Sequence, residues 1–311
     1  QARQRLLVFN SNSGFLVGRK ESPDTHQTFL QQILVELGIT NVSLKEFESD
    51  KLDDLSAYIS EARPEAIWVL GGDGTIKTLS ALALELDVPL GVLPGGTMNL
   101  MARDLGISLD LQEALLQLDR GEIGFIDVAR VNGDPFFCVS NLGLAIHMTR
   151  KRERLRLASP WKRWPLMGWY LIQYLLRYPA MTIEMQVNGQ LTSLRTRAAF
   201  ISNNPLAGDS FLIPRREDLC TGNLGIYIVR GDSFWTLPRV ALEALLGDWK
   251  ADRDIEVFRA PAVCIRIRGR RYFHVMNDGE LTRFKGPLLY KIESSTLKVV
   301  RPPRPQGGDG K

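Results

Sequence analysis

The stretch VLGGDGTIKTLS, residues 69–80, runs from an apolar strand signal into three glycines around one acid, Asp73. A strand, a glycine turn and a helix in that order present free backbone N–H groups at a helix N-terminus. Those donors and the helix dipole suit a phosphate. Glycines let the backbone approach a ligand closely and adopt positive φ. Lys77-Thr78 suggests a Walker loop, but that pattern needs glycine at position 76, where isoleucine stands. The dinucleotide fingerprint is also absent. Asp73 is the distinctive residue. A carboxylate beside phosphates repels them unless a cation intervenes, so it points to Mg2+, bound directly or through water. The plain alternative is a tight surface turn in which Asp73 caps the next helix.

Two further loops repeat the logic. LGVLPGGTMNLMARDLGI carries a strand into Pro94-Gly95-Gly96, then Thr97 and a helix. Thr97 could cap that helix or bond a phosphate or a ribose. FNSNSGF follows the first strand and offers Asn10, Asn12, Ser13 and Gly14 as polar contacts. Ligands of parallel sheets usually bind at the carboxyl ends of strands, and all three loops lie at such ends. The late NDGE, residues 277–280, reads by itself as a hairpin turn, since Asp-Gly is common there.

The elements that would hold these loops follow from the hydrophobic spacing. Over the first 120 or so residues strand and helix signals alternate. RLLVFN, VSLKEFE, AIWVL and VPLGVLP are strands; helices are expected over 23–37, 50–62, 75–86, 98–105 and 110–119. Repeated β-α units imply a parallel sheet covered by helices on both faces. After Gly121 the pattern changes to short strands with hairpin signals at Asn132-Gly133 and Asn188-Gly189, which read as an antiparallel sandwich. A helix near 234–247 interrupts them, and the tail RPPRPQGGDGK reads as disordered.

Composition bounds the function. The chain has 311 residues, enough for about two domains at ~100–200 residues each. Cys138, Cys220 and Cys264 form no CxxC pair, which argues against a disulfide framework or a zinc site and for a reducing compartment. His26, His147 and His274 are equally scattered. No signal peptide is visible, and no run reaches the ~18–20 apolar residues of a membrane span. The net charge is only +4, but Arg150, Lys151, Arg152, Arg154, Arg156, Lys162 and Arg163 crowd one short region beside the single acid Glu153. Trp161, Trp164, Trp169, Tyr170 and Tyr174 follow or interleave with them. Basic side chains attract anionic headgroups, and Trp and Tyr favour the interface. The bland alternative is a solvated linker and a core helix. CIRIRGRR alternates isoleucine with arginine, most simply a half-buried strand with an arginine face that could touch phosphate.

GGDGT followed by LGVLPGGTMN…AR resembles the diacylglycerol kinase catalytic-domain family, which includes bacterial lipid kinases and the sphingosine and ceramide kinases. NDGE resembles the family's DGE motif, and FNSNSG resembles its NPxSG opening, with Ser11 where proline is usual. The resemblance spans nearly the whole chain, with the motifs in order. It implies a Rossmann-like α/β nucleotide-binding domain over 1–121 and an antiparallel β-sandwich lipid-substrate domain over 122–290. A segment over 291–311 would return to the first domain or trail as a tail, and the active site would lie in the cleft between the domains. It implies ATP and Mg2+ as cofactors and a lipid hydroxyl as acceptor: diacylglycerol, ceramide, a sphingoid base or another membrane lipid. Gly71, Gly72, Asp73, Gly74 and Thr75 would bind the phosphates, with Gly95, Gly96, Thr97 and Asn99 beside them and Asn10 and Ser13 close to the nucleotide. Asp73, Asp278 and Glu280 match the catalytic acids. A carboxylate in hydrogen-bond reach of a hydroxyl can take its proton during attack, and either Asp278 or Glu280 could serve.

Three departures are visible. Leu100 replaces the aspartate of the family's GTxND, and Lys77 replaces a common asparagine. Gly222 stands where bacterial members place an aspartate that binds a structural Mg2+, so that metal is not expected. The resemblance also suggests a cytoplasmic enzyme peripheral to an anionic membrane, touching it through Trp161, Lys162, Arg163 and Trp164, and is compatible with a homodimer. An NAD kinase is the nearest rival, but the NE dipeptide expected downstream of its first loop is missing. An inactive nucleotide- or lipid-binding protein is a second rival, opposed by the retained Asp73, Asp278 and Glu280. A nucleic-acid partner is not expected, since no binding motif surrounds the basic cluster.

Overall fold

A computed structural model describes residues 4–18, 23–143, 180–207, 215–216, 218–230 and 254–303. The chain divides into two compact units, residues 1–126 with 295–311, and residues 127–294. Two strands, β5 (Glu122–Val131) and β15 (Leu288–Arg301), run through the boundary.

The first unit begins with β1 (Arg5–Phe9), α1 (Gly14–Val17), α2 (Pro23–Glu36), β2 (Val42–Glu46) and α3 (Leu52–Ala62). It continues with β3 (Ile67–Gly71), α4 (Asp73–Glu85), β4 (Leu90–Pro94), α5 (Leu100–Asp104) and α6 (Leu111–Asp119). The strands lie parallel in the order β2-β1-β3-β4, and the end of β15 adds a parallel neighbour to β4 through Val299 and Leu90. A parallel strand is covered on both faces, so its residues must be apolar on both. Ile67, Trp68, Val69 and Leu70 of β3 are accordingly all fully buried. Each such side chain contributes about 1.5–3 kcal/mol of transfer free energy. α3 buries Leu55 and Ile59, spaced for one helix face, and ends where Arg63 turns into the left-handed region before Pro64.

The strand order reverses at β1: β2 lies on one side of it and β3 on the other. The loops after β1 and β3 therefore diverge at a topological switch point, where open α/β sheets bind ligands.

The second unit is largely antiparallel. It contains β6 (Asp134–Phe136), β7 (Val139–Gly143), β8 (Met181–Val187), β9 (Gln190–Ser202), β10 (Leu224–Arg230) and β11 (Ile255–Ala260). After these come β12 (Ala262–Ile267), β13 (Tyr272–Asn277) and β14 (Glu280–Lys285). Their order is β14-β13-β7-β9-β8-β12-β15, with β10 pairing β9 and β11. Alternation builds the core. Ile183, Met185 and Val187 of β8 point in with Val263, Ile265 and Ile267 of β12, while Glu184 and Arg266 face each other outside. Asn132-Gly133, Asn188-Gly189 and Asp278-Gly279 all have positive φ at both positions, the backbone a two-residue hairpin requires.

Element boundaries differ from expectation where backbone chemistry intervenes. The sequence from Ile255 to Ile267 forms two strands, and Pro261, which has no N–H to continue a ladder, separates them: β11 pairs β10, and β12 pairs β8 and β15. The helix after GGDG starts at Asp73 rather than Thr75. The helix expected near 234–247 and the tail lie outside the described residues.

Candidate functional site

Three loops leave the carboxyl ends of β1, β3 and β4, and hydrogen bonds stitch them together. Asn10 Nδ2 donates to Thr75 Oγ1 at 2.8 Å, and Phe15 N–H donates to the Gly95 carbonyl at 3.1 Å. Asp73 Oδ1 accepts the Leu100 N–H at 3.1 Å, and Asn99 closes a ring on Gly96 by accepting from its N–H and donating to its carbonyl.

Among the glycines, some are dictated by packing and some are not. A Cβ on Gly95 would sit 2.7 Å from the Gly71 nitrogen, and one on Gly96 would sit 2.9 Å from the Gly72 Cα. A Cβ on Gly71 would meet Thr75 at 2.6 Å. Gly95 and Gly96 let two loops touch backbone to backbone, and Gly71 makes room for the Thr75 side chain. Gly72 and Gly74 are different: the nearest atom to a Cβ on Gly72 is 3.9 Å away, and nothing lies within 4 Å of one on Gly74. The missing side chain of Gly74 leaves room on the outer side of the loop, and a Cβ on Gly72 would only touch Gly96.

That room lies against an uncapped helix. Ser13 caps α1 and Asp110 caps α6 through side-chain oxygens, but the N-cap of α4 is Gly72, which has none. Among the described residues no acceptor meets the first-turn amides of this thirteen-residue helix. Open amides at a helix N-terminus form an anion site. Asp73 is the first helical residue, not the cap, so the surface-turn alternative does not describe it.

The candidate residues of this unit thus divide by what their atoms already do. Asn10, Gly71, Thr75, Gly95, Gly96 and Asn99 build the loops, and Ser13 is buried as a helix cap. Gly74 and Thr97 are exposed, and Gly72 is half-buried beside Gly96. Asp73 does both, since one oxygen is engaged by Leu100 and Oδ2 meets no donor among the described residues. Lys77 is half-buried one turn into α4 and has a partner of its own. No group of three or more His, Cys, Asp or Glu gathers among the described residues. Mg2+ carried by a nucleotide does fit: it needs one or two carboxylate oxygens and takes the rest from phosphate and water.

In the second unit, Asp278 and Glu280 have separate surroundings. Asp278 occupies the hairpin turn between β13 and β14 with φ +49°. Its carboxylate accepts three backbone N–H groups, Phe137 at 2.7 Å and Cys138 and Val139 at 2.9 Å each. The Asp278 N–H returns a bond to the Val139 carbonyl at 2.9 Å. The carbonyls of the same segment are held by buried polar side chains: Asn203 Nδ2 and Arg216 Nη1 both donate to Phe137 O. Glu280 follows as the exposed first residue of β14. Sequence patterns do not single out Asn203 and Arg216; their burial is the signal. Gly222 sits at φ +66° and donates its N–H to the buried Asp127 carboxylate at 2.8 Å. Trp161, Lys162, Arg163 and Trp164 lie outside the described residues.

A parallel α/β unit with an open glycine loop, followed by an antiparallel β unit carrying a DGE turn, is an architecture shared with kinases. The chain belongs to the diacylglycerol kinase catalytic-domain family. The family description "Diacylglycerol kinase catalytic domain" matches residues 4–131, and "YegS C-terminal NAD kinase beta sandwich-like domain" matches residues 145–301. A Staphylococcus haemolyticus protein named "Putative lipid kinase" is 36% identical over 247 residues, covering 76% of this chain and 76% of that one. A Staphylococcus aureus protein of the same name is 25% identical over 264 residues, covering 81% and 84%. A crystal structure described as a "putative diacylglycerol kinase" from Bacillus anthracis superposes with a TM-score of 0.72 at 20% identity, covering 97% of this chain and 98% of that one. At that identity the superposition shows the fold.

Proposed function

We propose that the protein is an ATP-dependent lipid kinase, transferring the γ-phosphoryl group of ATP to a hydroxyl of a membrane lipid. The observation that carries this reading is the open N-terminus of α4, where uncapped amides, the free space beside Gly74 and one carboxylate oxygen converge. Phosphates take the amides, with Thr97 beside them. Asp73 Oδ2 would be this chain's ligand to a nucleotide-borne Mg2+, which would supply charge neutralisation for the transferring group. Glu280 takes the proton of the lipid hydroxyl as its oxygen attacks the γ-phosphorus and ADP leaves. Asp278, committed to three amides, positions the turn that presents Glu280. A lipid acceptor also implies work at a membrane surface. Among the described residues no helix is long and apolar enough to cross one.

The experiment is a screen with labelled ATP and Mg2+ against diacylglycerol, ceramide, a sphingoid base, phosphatidylglycerol and NAD. Labelled lipid is the expected product. The second unit's resemblance to an NAD kinase sandwich makes NAD the informative control, and labelling of NAD alone would overturn the lipid reading.

A further inference from the structure

One end of the second unit concentrates positive charge. β12 ends at Ile267, and Arg268, Gly269, Arg270 and Arg271 turn the chain into β13, with Gly269 at φ +75°. Arg268 N–H donates to the Thr182 carbonyl at 2.9 Å, and Thr182 lies opposite Arg195 in the β8–β9 ladder. The Arg271 carbonyl accepts from Gly286 N–H at 3.0 Å, and Tyr272 lies opposite Lys285. The Arg283 guanidinium stands 4.4 Å from the centre of the Tyr272 ring. Main-chain pairing alone therefore gathers Arg195, Arg268, Arg270, Arg271, Arg283 and Lys285 in one place, and all six are exposed.

None of the six forms an ion pair among the described residues. That is not the habit of this unit, where Arg130 and Lys291 share Glu293 and Arg230 pairs with Glu256. The nearest acid in register, Glu184, faces Arg266 instead. Six like charges within a few strand spacings repel one another and destabilise the compact state. Five are arginines, whose planar fork matches a phosphate with two hydrogen bonds. Tyr272, half exposed among them, has the polar-tipped ring that settles at a membrane interface.

We propose that this end of the second unit, through Arg195, Arg268, Arg270, Arg271, Arg283 and Lys285, docks on the surface of an anionic lipid bilayer. The inference rests on the lipid-kinase reading for its purpose, but not for its test. The full chain is sedimented with phosphatidylcholine vesicles, with and without phosphatidylglycerol, in the absence of ATP and acceptor. Wild type is expected on the anionic vesicles only, with binding that weakens as salt rises. The triple change Arg268→Glu, Arg270→Glu, Arg271→Glu should weaken binding at least about tenfold. Its melting temperature should be unchanged or higher, because self-repulsion is relieved. The corresponding Arg→Lys triple variant should keep most of the binding and guards against a folding defect. Unchanged binding by the Glu variant overturns the proposal, as does equal binding to neutral vesicles or capture by an RNA fragment but not by vesicles. Docking without any lipid phosphorylation would leave this inference standing and remove the kinase reading.

Discussion

The carboxylate of Asp73 accepts the backbone N–H of Leu100 at 3.1 Å, so the acid of the first glycine loop caps the helix of the second. Of Leu100 only the backbone amide is used in this contact. The bond fixes one oxygen of Asp73, and the other meets no donor among the described residues, so the structural role and the proposed cation-binding role are separable.

Asp73→Asn should separate them. The amide oxygen can still accept from Leu100, so stability should hold, while Mg2+-dependent ATP binding is lost. Asp73→Ala removes both and should also cost about 1–2 kcal/mol. Thermal melts and isothermal titration with ATP, with and without Mg2+, check both outcomes.

Glycine substitutions should divide in the same way. Gly95→Ala forces a Cβ against the Gly71 backbone and should destabilise by about 1–3 kcal/mol. Gly74→Ala meets nothing within the protein and lies in a helix, where it should stabilise by up to about 1 kcal/mol. It should nonetheless weaken ATP by about tenfold, roughly 1.4 kcal/mol, because the methyl fills the open side of the loop. Equal ATP affinity in Gly74→Ala would remove the phosphate from this loop.

Glu280→Gln should lower turnover by about 10²–10⁴-fold at unchanged stability. Asp278→Asn should act in the other direction. It replaces one acceptor oxygen with a donor facing backbone N–H groups and should cost about 2–3 kcal/mol. Denaturant melts beside single-turnover rates check the pair.

Glu293 links stability to acid. Burial pushes its carboxyl up, but hydrogen bonds from Arg130 and Lys291 outweigh that and hold it below its usual 4.5. A carboxyl lowered in the folded state stabilises above the unfolded value, and the contribution disappears as pH falls through the folded one. Wild type should therefore exceed Glu293→Gln in stability at pH 7, and the gap should close on acidification. Guanidinium melts across that range test it, and a pH-independent gap would contradict the linkage.

The sequence by itself determined much of this protein. The parallel unit was legible because buried strands such as AIWVL must be apolar throughout, and helices such as α3 must space their apolar residues along one face. The hairpins at Asn132-Gly133 and Asn188-Gly189 were legible because few dipeptides accept two positive φ angles. The glycine loops could be located, but their glycines could not be sorted. Whether a missing Cβ admits a neighbouring backbone, as at Gly95, or leaves space, as at Gly74, depends on atoms more than twenty residues away. NDGE offered two acids with equal claims. Only the tertiary structure committed Asp278 to the amides of Phe137, Cys138 and Val139, because those donors come from a strand well over a hundred residues earlier. Likewise CIRIRGRR announced an arginine face, but its union with Arg195 and Lys285 needed strand pairing, which a linear pattern does not encode.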